Sequence, residues 1–311
     1  MKLAMVFPGQ GSQSPGMLNG YGDIPVIREV LTEASDILGQ DMAKLVAEGP
    51  AEELNKTVNT QPVMVTAAYA AYRAWQELGG QEPSIVAGHS LGEYTALVVA
   101  GAISFAQALP LVRMRAQAMQ EAVPAGVGAM AALLGLEDDA ARAACVESAQ
   151  GEVVETVNFN SPGQIVIAGH VAAVQRAMAA AKAKGAKRAV ALPVSAPFHS
   201  SLMAPAAARL REVLKTVEVR VPRIPVVHNV DARVRSDPDA IKEALVQQAD
   251  HAVLWTECVK AMAATGATHV YECGPGKVLG PLSKRIVANL EGGAMADRTG
   301  LDQGLQAFRK A

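Results

Sequence analysis

Residues 84–93 read Ser84-Ile85-Val86-Ala87-Gly88-His89-Ser90-Leu91-Gly92-Glu93. A short apolar run after Pro83 passes into G-x-S-x-G and then into a helical pattern from Glu93 to Ala100. In that setting the motif has a mechanical meaning. Glycines two positions either side of the serine let a strand and a helix approach, and the tight turn projects the hydroxyl outward. The following backbone N–H groups can then face a developing oxyanion, aided by the partial positive charge of the helix N-terminus. In a chain with 27 glycines the bare pattern is common. The strand-turn-helix context is what favours a nucleophilic Ser90 over an ordinary turn.

On either side of this stretch the chain alternates strands and helices. Leu3 to Phe7 is a continuous apolar run closed by Pro8-Gly9, as expected of a buried parallel strand. Residues 25–40, 61–79 and 104–122 carry helical periodicity, the last stopped by Pro124. After Pro197 the same rhythm returns, with helices over 202–216, 238–249 and 255–265 and strands over 225–229 and 269–273. This predicts an α/β fold with a parallel sheet. Between about 126 and 196 the order changes to strand 129–136, helix 137–149, strands 153–159 and 164–168 joined by the turn Asn160-Ser161-Pro162-Gly163, helix 171–184 and strand 187–194. That β-α-β-β-α-β order is the ferredoxin-like one. The chain is therefore expected to consist of a core, 1–125 with 197–311, and an inserted subdomain, 126–196. From Gly292 onward the chain is Gly-rich and polar, and its end is expected to fray.

Composition narrows the function classes. Over 311 residues, 28 Lys+Arg against 30 Asp+Glu give a net charge of −2, without the basic excess of a nucleic-acid binder. With 50% hydrophobic and 19% charged residues the chain can fill a large core, and at 4% aromatics that filling falls to Ala, Val, Leu and Met. Cys145, Cys258 and Cys273 are odd in number and form no C-x-x-C, so buried thiols in a reducing compartment are expected. The longest apolar stretch, Thr95 to Ile103, is half a membrane span, and the N-terminus carries no signal-peptide core. A cytoplasmic protein without a membrane segment follows as the expectation. No metal-ligand spacing occurs, and neither the Gly9–Gln13 loop nor Gly274-Pro275-Gly276-Lys277 completes a nucleotide-binding fingerprint, so no metal or bound cofactor is expected.

A serine nucleophile needs a base. Of six histidines, His89 adjoins Ser90 with its side chain expected to point elsewhere, His170 starts a helix and His269 opens a strand. His199 lies in the non-periodic loop Ser195-Ala196-Pro197-Phe198-His199-Ser200-Ser201, at the seam where the inserted unit rejoins the core, and clefts form at such seams. Arg115 taken alone reads as a solvated position on a helix face.

Six motifs in order resemble one family. They are Phe7-Pro8-Gly9-Gln10-Gly11-Ser12-Gln13, Gly88 to Glu93, Met114-Arg115, Asn160 to Gln164, Phe198-His199, and Gly274 to Leu279. Together they cover nearly the whole chain and resemble the malonyl-CoA:acyl carrier protein transacylases of bacterial type II fatty-acid synthesis. The resemblance implies an α/β-hydrolase-like core with an inserted ferredoxin-like subdomain. It implies Ser90 as nucleophile, His199 as general base, and the backbone N–H groups of Gln10 and Leu91 as oxyanion hole. It gives Arg115 the free carboxylate of the malonyl group, and takes Phe198 as the mark of malonyl over methylmalonyl. A backbone carbonyl at Gln248 would orient His199. Here the chain departs from the usual pattern, with Ala252 where proline is usual and Leu254 where a polar residue is frequent. Gln247 remains a register alternative, and Asp250 an alternative donor of a carboxylate. Malonyl-CoA and acyl carrier protein are the implied partners, the latter approaching a basic rim for which Lys182, Lys184, Lys187, Arg188, Lys284 and Arg285 are candidates. The protein is expected to act as a monomer. Rival readings are a serine esterase or lipase, a malonyl transferase serving malonate decarboxylase or polyketide synthesis, and, more distantly, a non-catalytic binding module.

Overall fold

The computed structural model describes residues 1–194 and 196–308, so Ser195 of the His199 loop and residues 309–311 lie outside it. Nine strands form two sheets among the described residues. They are β1 (Leu3–Phe7), β2 (Ile85–Gly88), β3 (Gly128–Leu134), β4 (Val154–Ser161), β5 (Gln164–His170), β6 (Arg188–Ala191), β7 (Val226–Val227), β8 (His269–Cys273) and β9 (Glu291–Met295).

The first sheet has the order β7-β2-β1-β8-β9 and is parallel throughout. The sequence of β1 shows why it lies at the centre. Leu3, Met5 and Phe7 enter the core on one face, while Ala4 and Val6 enter the core on the other, so an uninterrupted apolar run is required. Helix Thr57–Glu77 packs on the first face through Ala67, Ala68, Ala70, Ala71 and Ala74, all fully buried. Their small side chains allow the close helix-to-sheet approach expected of an aromatic-poor core. Helix Trp255–Ala264 covers the second face.

The second sheet is antiparallel with the order β4-β5-β3-β6, and one face is covered by helices Asp138–Ser148 and Val171–Ala183. Its chain order is the predicted β-α-β-β-α-β. The connection between β4 and β5 is tighter than read from sequence, because β4 continues to Ser161 and only Pro162 and Gly163 remain for the turn. The segment leading into helix Trp255–Ala264 is tied to β4 at Val253, whose N–H donates to Val157 O (2.8 Å) and whose carbonyl accepts from Phe159 N–H (3.0 Å).

The Gly-rich segment from Gly292 is regular as far as it is described: β9 pairs in parallel with β8, and helix Arg298–Phe308 follows, while the end of the chain at 309–311, where fraying was expected, lies outside the described residues. The glycines here serve close approach. A Cβ on Gly292 would lie 2.2 Å from the Gly280 carbonyl oxygen, and one on Gly300 2.4 Å from that of Ala294. No helix among the described residues is long and apolar enough to cross a membrane. The three cysteines are buried and unpaired.

Gly280, within helix Leu279–Ile286, tests this packing by the sign of one substitution. Helix propensity alone would make Gly280→Ala more stable by about 1 kcal/mol. The added Cβ would sit 2.1 Å from Gly293 O, and relieving such overpacking costs about 1–3 kcal/mol or more. Calorimetry should therefore show a Tm lowered by a few degrees; a raised Tm would contradict the contact.

Candidate active site

The site sits beyond the carboxyl ends of β1 and β2, where open parallel sheets bind ligands. Ser90 adopts φ 50°, a left-handed conformation unusual for a residue with a side chain. Two glycines make the turn possible. A Cβ on Gly88 would lie 1.8 Å from the Gly92 carbonyl carbon, and one on Gly92 2.1 Å from Phe7 O. The absence of both side chains lets the turn seat on the end of β1, beside the Pro8–Gln13 loop. Asn229, just past β7, braces it: its Oδ1 accepts from Ser90 N–H (2.7 Å) while its Nδ2 donates to Gly88 O (2.8 Å).

His199 is also left-handed, at φ 64°. Its Nε2 lies 2.7 Å from Ser90 Oγ and its Nδ1 2.8 Å from the backbone carbonyl of Gln248. A carbonyl only accepts, so Nδ1 carries the proton and Nε2 is left to accept from the serine hydroxyl. Burial, reinforced by the nearby Arg115 charge, pushes the His199 pKa down to about 3, against the raising effect of the Gln248 carbonyl. The ring is therefore neutral and ready to take a proton at ordinary pH. The two alternatives to Gln248 point elsewhere: Gln247 O and Asp250 Oδ1 both contact His251 Nδ1, at 3.0 and 2.6 Å.

Arg115 is not on a solvated face. Only 2% of it is exposed, because helix Phe105–Glu121 turns this position inward against helix Thr57–Glu77. Its Nη1 donates to Gln61 Oε1 (2.8 Å), and its Nη2 to Gln248 Oε1 (3.0 Å) and Ser90 Oγ (3.3 Å). The guanidinium lies over the Tyr94 ring, 5.4 Å from its centre. Among the described residues no carboxylate pairs with it, and burial draws its pKa down from the usual arginine range.

These groups open into a cleft with about 730 Å³ of empty space. Gln10 and Leu91 line it beside Ser90, and among the described residues neither backbone N–H donates a hydrogen bond within the chain. Met130 and Val166 from the small sheet, with Leu192, Val194 and Phe198, form an apolar wall. His89, which the sequence reading aimed away from Ser90, lines the same cleft but is engaged by Asn160 Oδ1 (2.8 Å). No group of three or more metal-ligating side chains occurs among the described residues.

Sequence reasoning missed Asn229, Gln61 and the role of Glu93. Asn229 lies two residues past the end of β7, at the carboxyl end of the parallel sheet where functional side chains concentrate, whereas the sequence reading placed it inside the strand 225–229. Gln61 lies within a helix and gives no local signal.

The family model described as the acyl transferase domain matches residues 4–299. The malonyl CoA-acyl carrier protein transacylase of Escherichia coli (strain K12) is 54% identical over 306 residues, covering 98% of this chain and 99% of its own. The crystal structure of the acyl-carrier-protein S-malonyltransferase from Burkholderia pseudomallei 1710b matches with a TM-score of 0.97 at 64% identity, covering 98% of this chain and 100% of that one. A malonyl-transacylase solved in complex with its type II PKS acyl-carrier protein matches with a TM-score of 0.97 at 51% identity, covering 99% and 100%. The chain thus belongs to the acyl transferase domain family and, within it, to the malonyl CoA-acyl carrier protein transacylases.

The depressed His199 pKa sets a pH profile. A group that works as the neutral form loses function as pH falls through its folded pKa. An ordinary histidine of pKa about 6.5 would lose about 30-fold of its neutral form by pH 5. The kcat/KM for acylation of Ser90, followed by rapid quench, should instead stay flat from pH 8 to pH 5. A midpoint near 6.5 would contradict the burial effect.

Proposed function

We propose that this protein transfers a malonyl group from coenzyme A to the phosphopantetheine thiol of acyl carrier protein through a malonyl-Ser90 intermediate. One observation carries the reading. The Ser90 hydroxyl oxygen lies 2.7 Å from a neutral imidazole nitrogen and 3.3 Å from a buried guanidinium that has no carboxylate partner among the described residues. A nucleophile and its base are common to all serine acyl-transfer enzymes, hydrolases included. The unpaired cation beside them is what an acyl group ending in a carboxylate needs.

In the proposed cycle His199 Nε2 takes the Ser90 proton as Oγ attacks the thioester carbonyl. The N–H groups of Gln10 and Leu91 receive the oxyanion, each such donor being worth about 2.7–4 kcal/mol in the transition state. The C–S bond breaks, and the departing thiolate takes the proton from His199. Malonyl-Ser90 is then held by Arg115, whose charge the substrate carboxylate balances; that balance lifts the depression on His199 and strengthens it as a base. The carrier thiol repeats the steps in reverse. The Gln248 carbonyl keeps His199 in the productive tautomer, and Phe198 on the cleft wall limits the room beside the malonyl methylene. No bound cofactor takes part.

The division of the chain into 1–125 with 197–311 and 126–196 belongs to this proposal, since the cleft runs between the two sheets. Lys182, Lys184, Lys187, Arg188, Lys284 and Arg285 are all exposed and form the proposed docking rim for the acidic carrier. Lys184 is partly neutralised by Glu147, 2.7 Å away. Fatty-acid synthesis in the cytoplasm, by a monomer, is the proposed setting.

The test compares malonyl-CoA with acetyl-CoA as donors to the wild type and to Arg115→Ala. Loss of a buried charged hydrogen-bonding group should lower malonyl transfer about 100-fold while acetyl transfer falls far less. An unchanged donor preference would remove Arg115 from substrate recognition.

A further inference from the structure

Among the described residues, Glu93 is the one carboxylate buried directly behind the nucleophile. It is fully buried, three residues after Ser90 in the first turn of helix Gly92–Val99. An acid in that position ordinarily complements the helix N-terminus. Here its oxygens turn away from the helix's own N–H groups. Oε1 meets His228 Nδ1 at 2.7 Å, and Oε2 accepts from Asn229 N–H and from Gln248 Nε2, both at 2.9 Å.

The contact with Gln248 has a consequence for Arg115. The Gln248 amide nitrogen faces two acceptors, the Ser90 carbonyl (2.8 Å) and Glu93 Oε2, and these engage both of its hydrogens. The amide oxygen is thereby turned to the opposite side, where it accepts from Arg115 Nη2. A flipped amide would present its NH₂ to a guanidinium, which has only donors, and would break both contacts. Gln248 thus connects the base through its main chain with the cation through its side chain.

We propose that Glu93 is a positioning residue for malonyl recognition: it fixes the Gln248 amide, and the amide aims the Arg115 guanidinium at Ser90. The proposal rests on the reading of Arg115 as the malonyl carboxylate's partner. Glu93 touches no reacting atom, and its effect is selective. A misaimed guanidinium weakens the hold on a carboxylate-bearing acyl group but leaves a neutral acyl group without a contact to lose.

The experiment measures kcat and KM for malonyl-CoA and acetyl-CoA in the wild type, Glu93→Ala and Glu93→Gln. In Glu93→Ala the malonyl-to-acetyl ratio of kcat/KM should fall about ten-fold to a hundred-fold, mainly through KM for malonyl-CoA. Glu93→Gln keeps an acceptor for Gln248 Nε2 and should recover most of the ratio. An equal loss for both donors would reduce Glu93 to a structural residue and overturn the proposal. So would a Glu93→Gln variant as unselective as Glu93→Ala. Should Glu93→Ala fail to fold, Gln248→Met removes the same link while keeping the backbone carbonyl, and retention of the full ratio there overturns the proposal equally. A wild type without malonyl preference would instead overturn the reading of Arg115 itself.

Discussion

The turn from β2 into helix Gly92–Val99 holds Ser90 at φ 50° because Gly88 and Gly92 have no side chains where carbonyl groups must pass within about van der Waals range. A left-handed non-glycine residue costs on the order of 1–3 kcal/mol and persists only when its surroundings over-determine it. Here they do. Asn229 spans the turn with two hydrogen bonds, and Gln248 holds the Ser90 carbonyl from the other side. The sheet, with its closely packed alanine helix, supplies the rigid platform from which that small strain can be maintained.

From this turn the electrostatics follow. The half-buried serine hydroxyl is placed where a neutral base and a positive charge both reach it, at the floor of the cleft. Arg115 and His199 are adjacent and buried, so the charge of one depresses the proton affinity of the other. The guanidinium makes its hydrogen bonds to Gln61, Gln248 and Ser90, three uncharged partners, which hold it in place without cancelling its charge. A negative charge from outside is thus the missing complement. The proposed catalytic set is drawn from distant segments at residues 90, 115, 199 and 248, and Val253, just before helix Trp255–Ala264, is bridged to β4 of the small sheet.

Much of this was legible in the sequence because it is local. The apolar runs at 3–7 and 84–88, the glycine spacing around Ser90 and the β-α-β-β-α-β order need only neighbouring residues. Arg115 was not legible from its helix, since what buries it is the packing of helix Thr57–Glu77, far away in sequence; only the resemblance of Met114-Arg115 to a family motif singled it out. The Glu93 cluster joins residues 93, 228, 229 and 248, and no local pattern announces such a convergence. The C-terminal strand was missed for a physical reason: glycine lowers strand propensity, yet at 280, 292 and 300 it is what allows helix and strand backbones to touch, and at 293 it leaves room for the Tyr271 ring.

The most direct measurement is the intact mass of the protein after malonyl-CoA is added, and again after holo acyl carrier protein is added, with Ser90→Ala in parallel. A malonyl adduct on the wild type alone, discharged onto the carrier, is the predicted result. Steady release of coenzyme A with no adduct and no malonyl-carrier would make water the acceptor and contradict acyl transfer through Ser90.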